Sequence, residues 1–203
     1  MDKLTDLLIA TYNQGKLREL ASLLSNIPIT LKNLGDLTAV TEIEETGATF
    51  HENAELKASG YAVQSGFWSL ADDSGLEVKA LSGAPGVYSN RFAGEGASDA
   101  ARMEKVLNEL KSTRDASRDA RFVCVMSIAD STGKIVFTAE GICNGTIARA
   151  PRGDNGFGYD PIFIPNGFDR TFGELPGRIK QQISHRARAV AEIIRYLQGF
   201  FKL

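Results

Sequence analysis

An α/β fold is what this chain predicts, and three stretches predict it. Leu7-Leu8-Ile9-Ala10 is a short apolar run. It passes through the polar Thr11-Tyr12-Asn13-Gln14-Gly15-Lys16 into Leu17, Leu20, Ala21 and Leu24 at helical spacing, which reads as strand, loop and helix. Thr49-Phe50-His51-Glu52 matches a capping box and opens a second helix to about Ser65, followed by a strand that ends at Asp72-Asp73. Residues 122–130 cross Ser131-Thr132-Gly133-Lys134 into 135–139, a β-hairpin by its turn and its β-branched content.

The composition fits that class. The chain has 203 residues, 43% hydrophobic and 24% charged, which allows one domain with a substantial core. Its 23 basic and 25 acidic residues leave a net charge of −2, so nucleic acid is not the expected partner. No apolar run approaches the roughly 20 residues of a membrane span. Met1-Asp2-Lys3-Leu4-Thr5-Asp6 lacks the basic start and apolar run of a signal peptide, so the cytoplasm is the expected location. Cys124 and Cys143 lie in apolar surroundings without CxxC spacing and read as reduced, buried side chains.

Taken in order, the first helix starts near Asn13 or Gln14. Free amide groups, the helix dipole and Lys16 suit an anion there. It is not a P-loop, because Leu17 follows Gly15-Lys16 and the earlier glycine is missing. Asn13 as a helix cap and Lys16 as a surface charge is the competing reading. Glu42, Glu44 and Glu45 form an acidic edge before the second helix, whose inward side is Phe50, Ala54, Ala58, Tyr61 and Ala62. Capping accounts for Glu52, and Asn53 and Lys57 share a face.

Leu70-Ala71-Asp72-Asp73-Ser74-Gly75 places two carboxylates where an apolar run stops, before a loop punctuated by Gly83, Pro85 and Gly86. Such a site suits a hard metal ion, and it equally suits a polar turn. Leu76-Glu77-Val78 reads as a separate short strand. Ser98 caps a helix with Ala101, Val106, Leu107 and Leu110 inward, and residues 111–119 form a charged connection. The strand pattern resumes over 141–147, where glycines suggest bulges or close backbone packing.

The loop Arg152-Gly153-Asp154-Asn155-Gly156-Phe157-Gly158-Tyr159-Asp160 holds more glycines and aromatics than a turn needs. Backbone can approach a ligand closely at Gly156 and Gly158, and Phe157 or Tyr159 can stack on a flat base. A last helix starts near Ser184, with Ala187, Val190, Ala191, Ile194 and Leu197 inward. His185 and Arg186 in its first turn oppose the dipole, at about 0.3–1 kcal/mol each if exposed, which points to an outside anion or acceptor.

Together these blocks resemble the inosine triphosphate pyrophosphatase family of non-canonical purine NTP pyrophosphatases. The matching stretches are Thr11-x-Asn13-x-x-Lys16, Glu45-Thr46-Gly47-x-Thr49-Phe50-x-Glu52-Asn53-Ala54, Ala71-Asp72-Asp73-Ser74-Gly75-Leu76, Gly83-Ala84-Pro85-Gly86-Val87-Tyr88-Ser89-x-Arg91, Gly156-Phe157-Gly158-Tyr159-Asp160-Pro161 and Ser184-His185-Arg186. They span nearly the whole chain in the family's order. Arg178-Ile179 before Lys180 depart from the acidic residues common there.

The resemblance implies an elongated mixed β-sheet with flanking helices, as one domain over residues 1–203 with two lobes around a central active-site cleft. It implies a homodimer and Mg²⁺-dependent hydrolysis of ITP, dITP and XTP to monophosphate and pyrophosphate. By the same resemblance Glu44 and Asp73 hold the metal, and Asp73 accepts the proton of the attacking water. Asp72 points the other way along the strand and supports it. Thr11, Tyr12, Asn13, Gln14, Gly15, Lys16 and Ser74 contact substrate, with Lys57 and Arg91 as further phosphate candidates. Lys180, His185 and Arg186 read the base, Phe157 stacks on it, and Gly158, Tyr159 and Asp160 shape its pocket. Hypoxanthine and xanthine carry an O6 acceptor where adenine has an N6 donor, so donors aimed there favour ITP over ATP. GTP must be excluded through its 2-amino group. A pyrophosphatase of other base preference and a non-catalytic nucleotide-binding module are the rivals; the second has no need of Glu44 with Asp73.

Overall fold

The fold is described from a computed structural model, which covers residues 4–113 and 117–201. The start of the chain and part of the 111–119 connection therefore lie outside the described residues. The strands are β1 (Asp6–Ile9), β2 (Thr30–Asn33), β3 (Trp68–Val78), β4 (Asp119–Ala129), β5 (Ile135–Ile147) and β6 (Phe163–Pro165). The helices are α1 (Gln14–Leu23), α2 (Phe50–Ser65), α3 (Asp99–Ser112), α4 (Gly177–Ile183) and α5 (His185–Gln198). The strands form one sheet in the order β2-β1-β3-β4-β5-β6. β1 pairs in parallel with both β2 and β3, and β5 pairs antiparallel with β6, so the sheet is mixed.

Local chemistry sets the helix starts. Asn13 caps α1 by accepting from the N–H groups of Gly15 and Lys16. Thr49 and Glu52 form a complete capping box on α2, which stops at Gly66 in the left-handed conformation. Ser98 caps α3 by accepting from Ala101 N–H.

The chain divides into two compact units. The first comprises residues 1–73, 124–141 and 186–203. Its core gathers Leu7, Ile9 and Leu70 with Leu20, Cys124, Met126, Ile128, Val190 and Ile193. Leu8, Ala58, Tyr61, Ala62 and Ala71 form a second apolar cluster in that unit. The second unit comprises 74–123 and 142–185, around Leu76, Val78, Val106, Phe122, Phe163 and Phe172. Cys124 and Cys143 are both free and buried, as expected. Among the described residues no helix is long and apolar enough to cross a membrane.

Two expectations are corrected, and one pair of alternatives is decided. β3 does not end at Asp72-Asp73; it continues unbroken to Val78, absorbing the expected separate strand at 76–78. The two acids are mid-strand residues, not a turn. α5 buries Ala189, Val190, Ile193 and Leu197, whereas Ala191 is exposed. The inward stripe begins at Arg186, whose charge hid it from an apolar pattern. β5 runs without a break through its glycines, and Gly145 marks close packing: a Cβ there would meet Ile164 O at 2.2 Å.

Candidate active site

Within the first unit, β1 delivers the chain to a tight start of α1. Thr11 Oγ1 accepts from Asn13 N–H at 3.2 Å, and Asn13 Oδ1 accepts from Gly15 N–H at 2.9 Å and Lys16 N–H at 3.1 Å. Asn13 is therefore a helix cap, as one reading had it. Lys16 is not a loose surface charge: its Nζ lies 3.0 Å from Asp72 Oδ2. The first turn of α1 carries no acid, so no side chain of that turn opposes an anion at the helix dipole. Tyr12 is half exposed and meets Tyr61 edge to face at 6.4 Å.

β3 then separates its two acids, because successive strand residues face opposite sides. Asp72 is only 2% exposed and meets Lys16 and, at 3.2 Å, the Arg186 guanidinium. Burial would raise its pKa, but Lys16, Arg186 and Lys57 outweigh burial and hold the carboxyl well below the usual range. Asp73 meets another set. Asn53 Nδ2 donates to Asp73 Oδ2 at 3.1 Å, and Lys57 Nζ lies 3.6 Å from Oδ1. Here burial prevails over Lys57 and Lys16, so the Asp73 carboxyl is pushed up. A carboxyl raised by burial beside cations is poised to take a proton.

Lys57 also bonds Glu45, and its pKa is raised because Asp73 and Glu45 outweigh its burial. Asn53 completes the arrangement by accepting from Gly47 N–H at 2.8 Å, which holds the acidic segment against α2. Glu44 is exposed, and Glu45 is the acid that the structure joins to Asp73. Among the described residues no three His, Cys, Asp or Glu side chains gather as a metal cage. A pair of carboxylates around a shared cation nevertheless fits Mg²⁺, which takes one or two carboxylates and fills its shell with water and phosphate oxygens.

Arg186, expected by resemblance to read the base, takes part in a buried ion network. It is 1% exposed and belongs to the first unit, where its guanidinium donates to Glu19 (Nη1, 2.5 Å) and Asp72 (Nη2, 3.2 Å). Glu19 was missed: it lies one turn beyond Lys16 on α1, and its partner is 167 residues away in the chain. No short-range pattern carries that pairing. A buried carboxylate held by two cations costs several kcal/mol when one partner is removed, so this network fixes Asp72 and through it Lys16.

The second unit holds the other group of expected residues. Asp160 is its hub. Asp160 Oδ2 accepts from Phe157 N–H at 2.9 Å and from Lys180 Nζ at 2.5 Å. The same ammonium lies 4.5 Å from the Phe157 ring centroid and 5.9 Å from that of Phe172. Gly156 permits this: its φ is +79°, and a Cβ there would meet Asp160 Oδ2 at 1.9 Å. Tyr159 donates its hydroxyl to Ser89 O at 2.8 Å and is buried, which pushes its pKa up. His185 stacks on Phe122 at 4.7 Å and is buried. Ser74 is partly exposed, and Arg91 lies 5.0 Å from the exposed Tyr88 ring. α4, which carries Lys180, was not read from the sequence; Pro176 and Gly177 at its start and its seven residues gave little periodicity.

Comparison with known proteins extends the match. A family model described as the Ham1 family matches residues 7–196. The chain is 50% identical to a dITP/XTP pyrophosphatase of Syntrophobacter fumaroxidans over 196 residues, 97% of this chain and 83% of that protein. It is 46% identical to a dITP/XTP pyrophosphatase of Desulforamulus reducens over 96% of each chain. Among solved structures, a HAM1 protein from Coxiella burnetii superposes with a TM-score of 0.89 at 42% identity, covering 96% of this chain and 99% of that one.

Proposed function

Because the chain belongs to the Ham1 family, we propose that it hydrolyses non-canonical purine nucleoside triphosphates, dITP, XTP and ITP, to the monophosphate and pyrophosphate. The observation that carries the chemistry is the split pair on β3. Asp72 is locked in a buried ion network, while its neighbour Asp73 is a raised carboxyl beside Lys57.

In this reading Asp73 takes the proton from the attacking water. Lys16, anchored by Asp72, meets the triphosphate together with the Thr11 hydroxyl, the Asn13 amide and the start of α1. Asp73 with Glu45, or with Glu44 as the family resemblance has it, would hold Mg²⁺, which when bound neutralises phosphate charge and acidifies a coordinated water. Lys57 screens the two acids from each other.

The second unit's cluster takes the base. Phe157 offers a stacking face, and Lys180, aligned by Asp160, offers a donor to an O6 acceptor. Adenine presents an N6 donor to that ammonium and leaves it unsatisfied, a mismatch that reaches about 10⁴-fold in sites built to bond an acceptor. His185 gives the pocket a rigid wall. Arg186 supports the acids and leaves base reading to Lys180. The enzyme acts in the cytoplasm as a homodimer.

Product analysis tests the reading. Incubation with dITP yields pyrophosphate and the monophosphate in equal amounts, and Asp73→Asn stops turnover while the nucleotide still binds. Release of inorganic phosphate alone, or full turnover by Asp73→Asn, overturns it.

A further inference from the structure

The loop over residues 156–160 is gripped at two consecutive residues by parts of its own unit. Tyr159 donates to Ser89 O at 2.8 Å. Gly158 N–H donates to Asp99 Oδ2 at 2.7 Å, across 59 residues of chain. Asp99 is the first residue of α3, and its other oxygen takes the Arg102 guanidinium. Arg102 also donates to Asn90 through the backbone oxygen at 2.5 Å and the side-chain oxygen at 2.8 Å. Asn90 is the neighbour of Ser89. One guanidinium thus ties together the two supports that hold Gly158 and Tyr159.

We propose that Asp99, fixed by Arg102, is a positioning residue for base selection. It rests on the reading that Phe157, Asp160 and Lys180 take a 6-oxopurine. Gly158 has a φ of +62°, and a Cβ there would meet nothing within 4 Å, so side-chain packing does not restrain this residue. Its restraint comes from the charge-assisted bond to Asp99. Gly158 lies between Phe157 and Asp160, and Asp160 sets the Lys180 ammonium. A shift at Gly158 therefore moves the stacking ring and the donor together.

The test compares Asp99→Ala, Asp99→Asn and Arg102→Met with the wild type. The readouts are kcat and KM for ITP and ATP, thermal unfolding, and hydrogen exchange of the Gly158 amide. Loss of one charge-assisted hydrogen bond predicts that Asp99→Ala raises KM for ITP about tenfold and narrows the ITP-over-ATP preference by about the same factor. Its kcat stays within about twofold, because no group placed beside Asp73 is touched. Asp99→Asn keeps one acceptor for Gly158 and recovers part of the loss. Gly158 exchange quickens in Asp99→Ala and less so in Arg102→Met. An unchanged ITP-to-ATP ratio in Asp99→Ala overturns the proposal, as does a fall in kcat at constant KM. Failure of the wild type to hydrolyse ITP overturns the functional reading itself and is visible before any variant is made.

Discussion

Replacing Arg186 by methionine separates the two roles open to that residue. The side chain is 1% exposed, and its guanidinium serves Asp72 and Glu19. Methionine keeps comparable bulk and removes the charge. Asp72, itself buried, then keeps the Lys16 ammonium at 3.0 Å and the weak Cys124 Sγ donor at 3.9 Å. Removing one partner of a buried ion pair costs about 3–5 kcal/mol, and the surviving Lys16 contact places this case near 3 kcal/mol. In a protein of this size each kcal/mol moves the melting temperature by about 2–4 °C, so Arg186→Met melts about 6–12 °C below the wild type. Circular dichroism at neutral pH measures this directly. The double variant Arg186→Met, Asp72→Asn recovers part of the loss, because the stranded carboxylate is gone. Arg186→Lys falls between, since one ammonium cannot replace a fork that reaches two acids. A residue whose main task is to contact the base behaves otherwise: it loses ITP preference with its stability intact. A melting shift below about 3 °C for Arg186→Met, together with a collapsed ITP-to-ATP ratio, would refute the buried-network account.

Other perturbations test separate parts of the site and scaffold. Glu45→Gln raises the Mg²⁺ concentration needed for half-maximal turnover by about tenfold or more, while Glu44→Gln has a smaller effect; the reverse order in a Mg²⁺ titration restores Glu44 as the ligand. Gly156→Ala forces the Asp160 carboxylate away from Phe157 and Lys180, so KM for ITP rises at least about tenfold; unchanged steady-state kinetics would remove Asp160 from its hub role. The turn between β4 and β5 gives a pH prediction. The Thr132 hydroxyl, followed by the Thr132 and Lys134 backbone N–H groups, holds the Asp130 carboxyl below its usual range. A carboxyl lowered on folding stabilises above its unfolded pKa of about 3.9 and loses that contribution as pH falls through the folded value. The melting difference between wild type and Asp130→Ala is therefore complete at neutral pH and shrinks under strong acid; a pH-independent difference contradicts it.

Much of this structure was legible in the sequence because its signals are local. Asn13, Thr49 with Glu52, and Ser98 mark the starts of α1, α2 and α3 through hydrogen bonds spanning two or three residues. The inward side of α2 follows from helical spacing alone. What stayed hidden depends on distant partners. Asp72-Asp73-Ser74-Gly75 has the chemistry of a turn, yet it runs as mid-strand because Lys16, Arg186, Asn53 and Lys57 satisfy the acids from other elements. The Arg186–Asp72 contact spans 114 residues, and no periodicity encodes it. Arg186 also disguised the inward face of α5, since an arginine at the head of an apolar stripe reads as a surface residue. The short edge strand β2 went unread because residues 30–33 carry only one strongly apolar side chain and gain their order from pairing with β1. Among the expected site residues, the capped lysine loop and the aromatic-glycine loop stood out through their local residue pattern. Glu19, Glu45 and Asp99 acquire their partners only through tertiary placement.

The central claim is base-selective release of pyrophosphate by the Asp73 site, and one assay meets it head-on. Pyrophosphate release is followed for ITP, dITP, XTP, ATP and GTP at equal concentration, with Mg²⁺ and with the ion chelated. The account predicts rapid release from ITP, dITP and XTP, slow release from ATP and GTP, and loss of release on chelation. Equal rates for ATP and ITP would contradict base selection, and no release from any of the five would contradict the enzyme itself.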